Sequence, residues 1–121
     1  MVATGWYHVP FVTTLADIFG LGGHHAIVTG ASSGLGVELA EALAIAACDV
    51  ALVARRADRL GDVARRLEPH GIRAIAVPGD LADLASIPAI FERCEQALGP
   101  IDILVNNAGF LDSVRAEKIT P

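Results

Sequence analysis

The chain has 121 residues, 53% of them apolar and 19% charged, with a formal net charge of −5. An apolar-rich chain of this kind is not a disordered tail, and an acidic chain without a stripe of Lys and Arg carries no nucleic-acid footprint. Its apolar stretches are broken by charges such as Glu38 and Glu41, so no membrane span is expected, and no Lys or Arg precedes Arg55, so the expected location is the cytoplasm.

Residues 1–18 have no clear period. Trp6, Tyr7, Phe11 and Val12 stand among Gly, Thr and Pro, and the segment reads as an N-terminal extension. A regular alternation starts at His24. Ala26–Thr29 is a short apolar run that ends at Gly30, and Leu35–Ala47 has the Ala, Leu and Glu content of a helix. Asp49–Ala54 reads as a buried strand. Arg55–His70 places Leu60, Val63, Ala64 and Leu67 at the spacing of one helical face, and Pro69 with Gly71 ends it.

Ile72–Val77 is the third strand. The helix that follows is expected to bury Leu84, Ile87, Phe91, Cys94 and Leu98 as one stripe. Pro88 fits that helix if it lies in the first turn with Ser86 as N-cap, or if the helix bends there. Gly99-Pro100 stops it, and Ile101–Val105 is the fourth strand. The tail Phe110–Pro121 is polar and loop-like. Four strands alternating with three helices through short connections make an α/β, doubly wound parallel sheet, Rossmann-like and incomplete, with helices on both faces.

The sharpest chemical signal is Thr29-Gly30-Ala31-Ser32-Ser33-Gly34-Leu35-Gly36, between a strand and a helix. Gly30 suits a tight exit from the strand, Gly34 a close approach of backbone to a phosphate, and Gly36 close packing of the helix on the sheet. A helix N-terminus adds free N–H groups and the positive end of a dipole. The spacing is G-x-x-x-G-x-G rather than G-x-G-x-x-G, and a purely structural turn is the alternative. Cys48 and Cys94 form no metal or redox spacing, and no ligand set surrounds His8, His24, His25 or His70, so neither a disulfide nor a metal is expected.

Three motifs in this order resemble the short-chain dehydrogenase/reductase family, from about Phe19 to the chain end. Thr29–Gly36 is similar to its TGxxxGxG motif, Asp80-Leu81 to its adenine-contacting Asp, and Asn106-Asn107-Ala108-Gly109 to its NNAG motif. His24 stands where Lys is common. The resemblance implies that Gly30, Ser32, Ser33, Gly34, Leu35 and Gly36 wrap the pyrophosphate and adenosine ribose. It implies that Asp80 accepts from the adenine amino group with help from the Leu81 backbone. Asn107, Ala108 and Gly109 would line the ribose near the nicotinamide, and Asn106 would tie neighbouring strands. The alternatives are a helix-capping turn for Asp80 and turn chemistry alone for the Asn pair.

The end of the second strand bears on the cofactor. An NAD enzyme usually has Asp or Glu there for the ribose hydroxyls. Here Ala54 is followed by Arg55 and Arg56, which attract a 2′-phosphate, and Ser33 offers a further hydroxyl. NADP(H) is the expected cofactor. The alternative, a solvated helix start, leaves two positive charges at an unfavourable helix end.

The family's catalytic Tyr-x-x-x-Lys cannot be assembled from Tyr7 and Lys118, and Ser113 lies too early for its serine. The resemblance places all four catalytic residues beyond Pro121, so this chain would carry only the cofactor half. The implied function is an NADP(H)-dependent oxidoreductase acting on a small-molecule alcohol or carbonyl, a homo-oligomer at full length. A noncatalytic dinucleotide-binding module or decayed gene fragment is the alternative. An epimerase of the extended branch fits NNAG less well. A sheet that stops at the fourth strand is expected to expose an apolar edge and to self-associate.

Overall fold

The structure, a computed structural model, describes residues 20–109. The expected extension over residues 1–18, the tail 110–121, and with them Tyr7, Ser113 and Lys118, lie outside the described residues.

The elements in order are β1 (His25–Thr29), α1 (Leu35–Ile45), β2 (Asp49–Ala54), α2 (Ala57–Leu67), β3 (Ala74–Pro78), α3 (Ile87–Leu98) and β4 (Ile103–Val105). Short 3-10 turns, Glu68–His70 and Leu84–Ser86, follow α2 and precede α3. The four strands form one sheet in the order β3-β2-β1-β4, and every pairing is parallel. The chain steps outward from β1 to β3, then returns past β1 to place β4 on its other side. In such a sheet the crevice at this reversal, outside the carboxyl ends of the strands, is where ligands bind.

Alternation along the strands feeds two cores. Val28, Val50 and Leu52 point to one face and pack with Ala40 and Ala44 of α1 and Leu60, Val63, Ala64 and Leu67 of α2. Ile27, Ala51 and Val53 point to the other and pack with Val77 and with Ile90, Cys94 and Leu98 of α3. Helices therefore cover both faces, as the sequence predicts. Fully buried Leu52, Leu60 and Leu67 each contribute on the order of 1.5–3 kcal/mol.

The two helices on the first face pack differently. The α2 face is amphipathic, as its spacing predicts. The face of α1 is built from small residues, with Gly36, Ala40 and Ala44 buried at every fourth position, so this helix lies close against the sheet. It ends at Ile45, two residues earlier than its composition suggests. Ala47 takes φ 70, and Cys48 N–H closes the turn on the Leu43 carbonyl at 3.0 Å.

The third helix corrects the sequence reading. Its buried residues are Ile90, Cys94 and Leu98, whereas Leu84, Ile87 and Phe91 are 75%, 37% and 40% exposed. Pro88 does fall in the first turn, but Ser86 makes no side-chain cap bond. Its hydroxyl turns back to the carbonyls of Asp80 and Asp83, at 3.1 and 2.8 Å.

At the amino ends of the strands a polar network ties the sheet together. Asp102 accepts from the His25 backbone N–H at 2.9 Å and contacts the His24 ring. Asp49 binds Arg73 through the backbone N–H and the guanidinium, and Arg73 reaches the Leu98 carbonyl at the end of α3. Burial pushes the Asp49 carboxyl up, but the Arg73 N–H bonds and charge outweigh it and hold the group below the usual carboxylate range. At Asp102 the His25 N–H, then His24, lower the carboxyl.

Candidate dinucleotide site

A cleft of about 720 Å³ opens at the carboxyl ends of the strands, over the point where the strand order reverses. Ten residues singled out in the sequence line it: Gly30, Ser32, Ser33, Arg55, Arg56, Asp80, Leu81, Asn107, Ala108 and Gly109. Gly34, Leu35 and Gly36 do not line it but form the N-cap and first turn of α1. Three separate loops, after β1, β2 and β3, and the segment after β4 thus converge on one hollow.

The first loop is built for close approach. Gly34 takes φ 58, ψ −134 at the N-cap of α1, and no side chain caps the helix. Nothing lies within 4 Å of where a Gly34 Cβ would stand. The leading N–H groups of a helix have no partner within it, so an uncapped first turn beside a cleft offers them to an anion.

Gly36 is where the helix comes closest to its neighbours. A Cβ there would fall 2.9 Å from the Asn107 amide nitrogen and closer still to the Gly30 carbonyl oxygen. The β1–α1 turn and the segment after β4 therefore interlock around a residue with no side chain. Asn107 Nδ2 donates to the Gly30 carbonyl across this contact at 3.4 Å.

Thr29 is the residue whose role the motif alone leaves unstated. It is a buried polar side chain, 6% exposed. Its hydroxyl oxygen accepts the backbone N–H groups of Asn107 and Ala108, each at 2.9 Å. It stands 3.3 Å from Asn106 Oδ1 and 3.4 Å from the Val105 carbonyl, either of which takes its proton. One hydroxyl thus fixes the path of Asn106-Asn107-Ala108 along the cleft. Asn106 Oδ1, one of the two acceptors beside that proton, stands where the strand-tying role expected of Asn106 requires it. A buried hydroxyl at the end of a strand, facing another chain segment, is the general signal for such a hub.

The opposite wall comes from the β3 loop. Asp80 Oδ1 accepts the Ala82 N–H at 3.0 Å, an Asx turn. Its second carboxylate oxygen has no hydrogen bond among the described residues, so Asp80 has the turn role and retains an acceptor. Gly79 N–H is tied to the Ala54 carbonyl at 2.9 Å. At the end of β2, Ala54 puts no carboxylate into the cleft, while Arg55 and Arg56 line it, exposed and without an ion pair among the described residues.

Among the described residues no group of three His, Cys, Asp or Glu side chains could hold a metal ion. Cys48 and Cys94 are free and buried. Burial, then the charges of Asp102 and Asp49, push the Cys48 thiol up to about 11, and burial raises Cys94. Among the described residues no helix is long and apolar enough to cross a membrane.

The family model described as short chain dehydrogenase matches residues 24–121. A fatty acyl-CoA reductase of Mycobacterium tuberculosis is 43% identical over 89 residues, which is 74% of this chain and 30% of that protein. The L-sorbose reductase of Gluconobacter frateurii, solved with NADPH and L-sorbose, superposes with a TM-score of 0.75 at 38% identity, over 84% of this chain and 39% of its own. A 3-oxoacyl-(acyl-carrier-protein) reductase of Agrobacterium tumefaciens, solved with NADP bound, gives a TM-score of 0.77 at 36% identity, over 89% and 42%. The chain belongs to the short-chain dehydrogenase/reductase family of oxidoreductases. It spans well under half the length of these relatives.

Proposed function

We propose that the cleft binds NADP(H), and that the protein is an NADP(H)-dependent oxidoreductase acting on an alcohol or carbonyl compound. One observation carries the cofactor choice: two guanidinium groups, Arg55 and Arg56, without an ion pair among the described residues, stand in the cleft at the end of β2, where Ala54 supplies no carboxylate. A 2′-phosphate placed there meets a charge-assisted, bidentate partner rather than a repelling acid. The L-sorbose reductase and the 3-oxoacyl reductase, solved with NADPH and NADP, lend support from related folds.

The remaining residues fit the rest of a dinucleotide. The amides of Ser32 to Leu35, at the mouth of α1, receive the pyrophosphate, and the Ser33 hydroxyl supplements the arginines. Asp80 accepts from the adenine amino group through its open carboxylate oxygen, beside Leu81. Asn107, Ala108 and Gly109, held by Thr29, support the nicotinamide-side ribose. The bound cofactor supplies the hydride chemistry; what these residues contribute is binding and orientation.

In this reading residues 19–121 are the N-terminal part of the dinucleotide-binding domain, preceded by an extension over 1–18. The protein works in the cytoplasm as a homo-oligomer. Calorimetric titration with NADPH and NADH tests the cofactor assignment. NADPH should bind at least about tenfold more tightly, the scale of a charge-assisted pair. Arg55→Asp should erase or invert that preference. Tighter NADH binding, or a preference untouched by the substitution, refutes the assignment.

A further inference from the structure

The expected cap residue of α3 does something else, and the consequence reaches the cleft. Ser86 has backbone geometry at the start of α3, yet its side chain caps no helical N–H. Instead its single hydroxyl proton is shared between the carbonyls of Asp83 at 2.8 Å and Asp80 at 3.1 Å. The Asp80 carbonyl also receives the Asp83 N–H at 3.1 Å, and the Asp83 carbonyl receives the Ser86 N–H at 3.0 Å. The Asp80 side chain is held in turn by the Ala82 N–H on Oδ1. Both the peptide plane of Asp80 and its carboxylate are therefore fixed, one by the Ser86 side of the turn and one by Ala82.

We propose that Ser86 is a positioning residue for base recognition: by locking the Asp80 carbonyl, it holds the open Asp80 carboxylate oxygen toward the base end of the cleft. The proposal rests on the reading of the cleft as an NADP(H) site and adds which residue sets its discrimination between purine bases. Ser86 itself does not line the cleft. Without its hydroxyl, the Asp80 carbonyl keeps, among the described residues, the Asp83 N–H alone; the Asp80 peptide then rocks about the single Ala82 bond that remains on its carboxylate, and the open oxygen meets the base less often. The other supports of this loop hold different atoms. Gly79 N–H binds the Ala54 carbonyl, and Arg93 reaches the Pro78 carbonyl at 3.3 Å. Losing Ser86 therefore loosens Asp80 without releasing the β3 loop from the sheet.

The test compares NADPH with nicotinamide hypoxanthine dinucleotide phosphate, in which a ring carbonyl replaces the adenine amino group. Calorimetry on the full chain should show wild type favouring NADPH by about tenfold, one hydrogen bond to a charged acceptor. Ser86→Ala should cut that ratio to about threefold or less, and Ser86→Thr, which keeps the hydroxyl, should restore it. In an Asp80→Ala background, Ser86→Ala should leave the ratio unchanged, because the residue it acts through is gone.

A Ser86→Ala protein that loses affinity for both dinucleotides equally, with the ratio intact, overturns the proposal and leaves Ser86 a support of the fold. Wild type that binds NADPH without preferring it over the hypoxanthine analogue also overturns it, while the cofactor reading stands. Wild type that binds neither dinucleotide refutes the cofactor reading itself.

Discussion

Thr29→Val removes one oxygen and almost no volume, so its effect isolates the hydroxyl hub. The Thr29 side chain is buried and accepts two backbone N–H groups at 2.9 Å. With a methyl group in place of the oxygen, the amides of Asn107 and Ala108 lose their acceptor. A buried donor left unsatisfied costs about 1–3 kcal/mol. Both residues line an open cleft, so water recovers part of that cost, and the pair should cost on the order of 2–3 kcal/mol. Thr29→Ser keeps the oxygen and loses a methyl, at a cost of about 1 kcal/mol. Urea unfolding at constant m-value measures both variants. Thr29→Val should also weaken NADPH binding, because the segment it anchors wanders. The reasoning fails if Val at this position costs less than about 0.5 kcal/mol, or if Ser costs as much as Val.

Two helical glycines should respond in opposite ways to alanine. Gly36→Ala forces a Cβ against the Gly30 carbonyl and the Asn107 amide, so it should cost roughly 2 kcal/mol or more and abolish NADPH binding. At Gly61, in the middle of α2, the nearest atom to an added Cβ is Arg65 Nη1 at 3.8 Å. Gly61→Ala should therefore stabilise by about 0.5–1 kcal/mol, read from the same urea transitions. Acid should loosen the amino ends of the strands. Asp49 and Asp102 are held below their ordinary pKa in the folded state. Their contribution is present above the unfolded value and is lost as pH falls below about 4 and through the folded value. Asp49→Asn should flatten the acid limb of a stability profile between pH 2.5 and 6, and an unchanged limb would count against the Arg73 pairing.

The elements that could be read from the sequence are those whose pattern is local. Asp49–Ala54 matches β2 residue for residue because a central strand buried on both faces reads as an unbroken apolar run. The α2 face is equally plain, since one stripe of apolar residues opposes a charged surface. The β3 strand lies later than its apolar run suggests, at Ala74–Pro78 rather than Ile72–Val77. The Arg73 carbonyl still accepts the Val50 N–H, but its own N–H goes to the Asp49 carboxylate, and Pro78 is accommodated as the last residue of an edge strand.

The third helix departs from its expected stripe because apolar residues cover more than one of its faces. Which face meets the sheet is decided by Gly79, whose missing side chain leaves the room that Ile90 fills. That is a contact between residues eleven positions apart, invisible to periodicity. The same limit applies at the cleft. The glycines stand out by spacing, the arginines by their place after the second strand and Asp80 by the family resemblance, and the structure brings Gly30, Arg55, Arg56 and Asp80 to one hollow. The hydrogen bonds from Thr29 and Ser86 emerge only once the loops are folded against each other.

Amide chemical shifts followed during an NADPH titration test the central claim most directly. If the first turn of α1 cradles the diphosphate, the largest shifts should fall on the backbone N–H groups of Ser32 to Gly36, with smaller ones at Arg55, Arg56 and Asp80. Saturating cofactor that leaves those amides unmoved, or moves a patch elsewhere on the sheet instead, would contradict it.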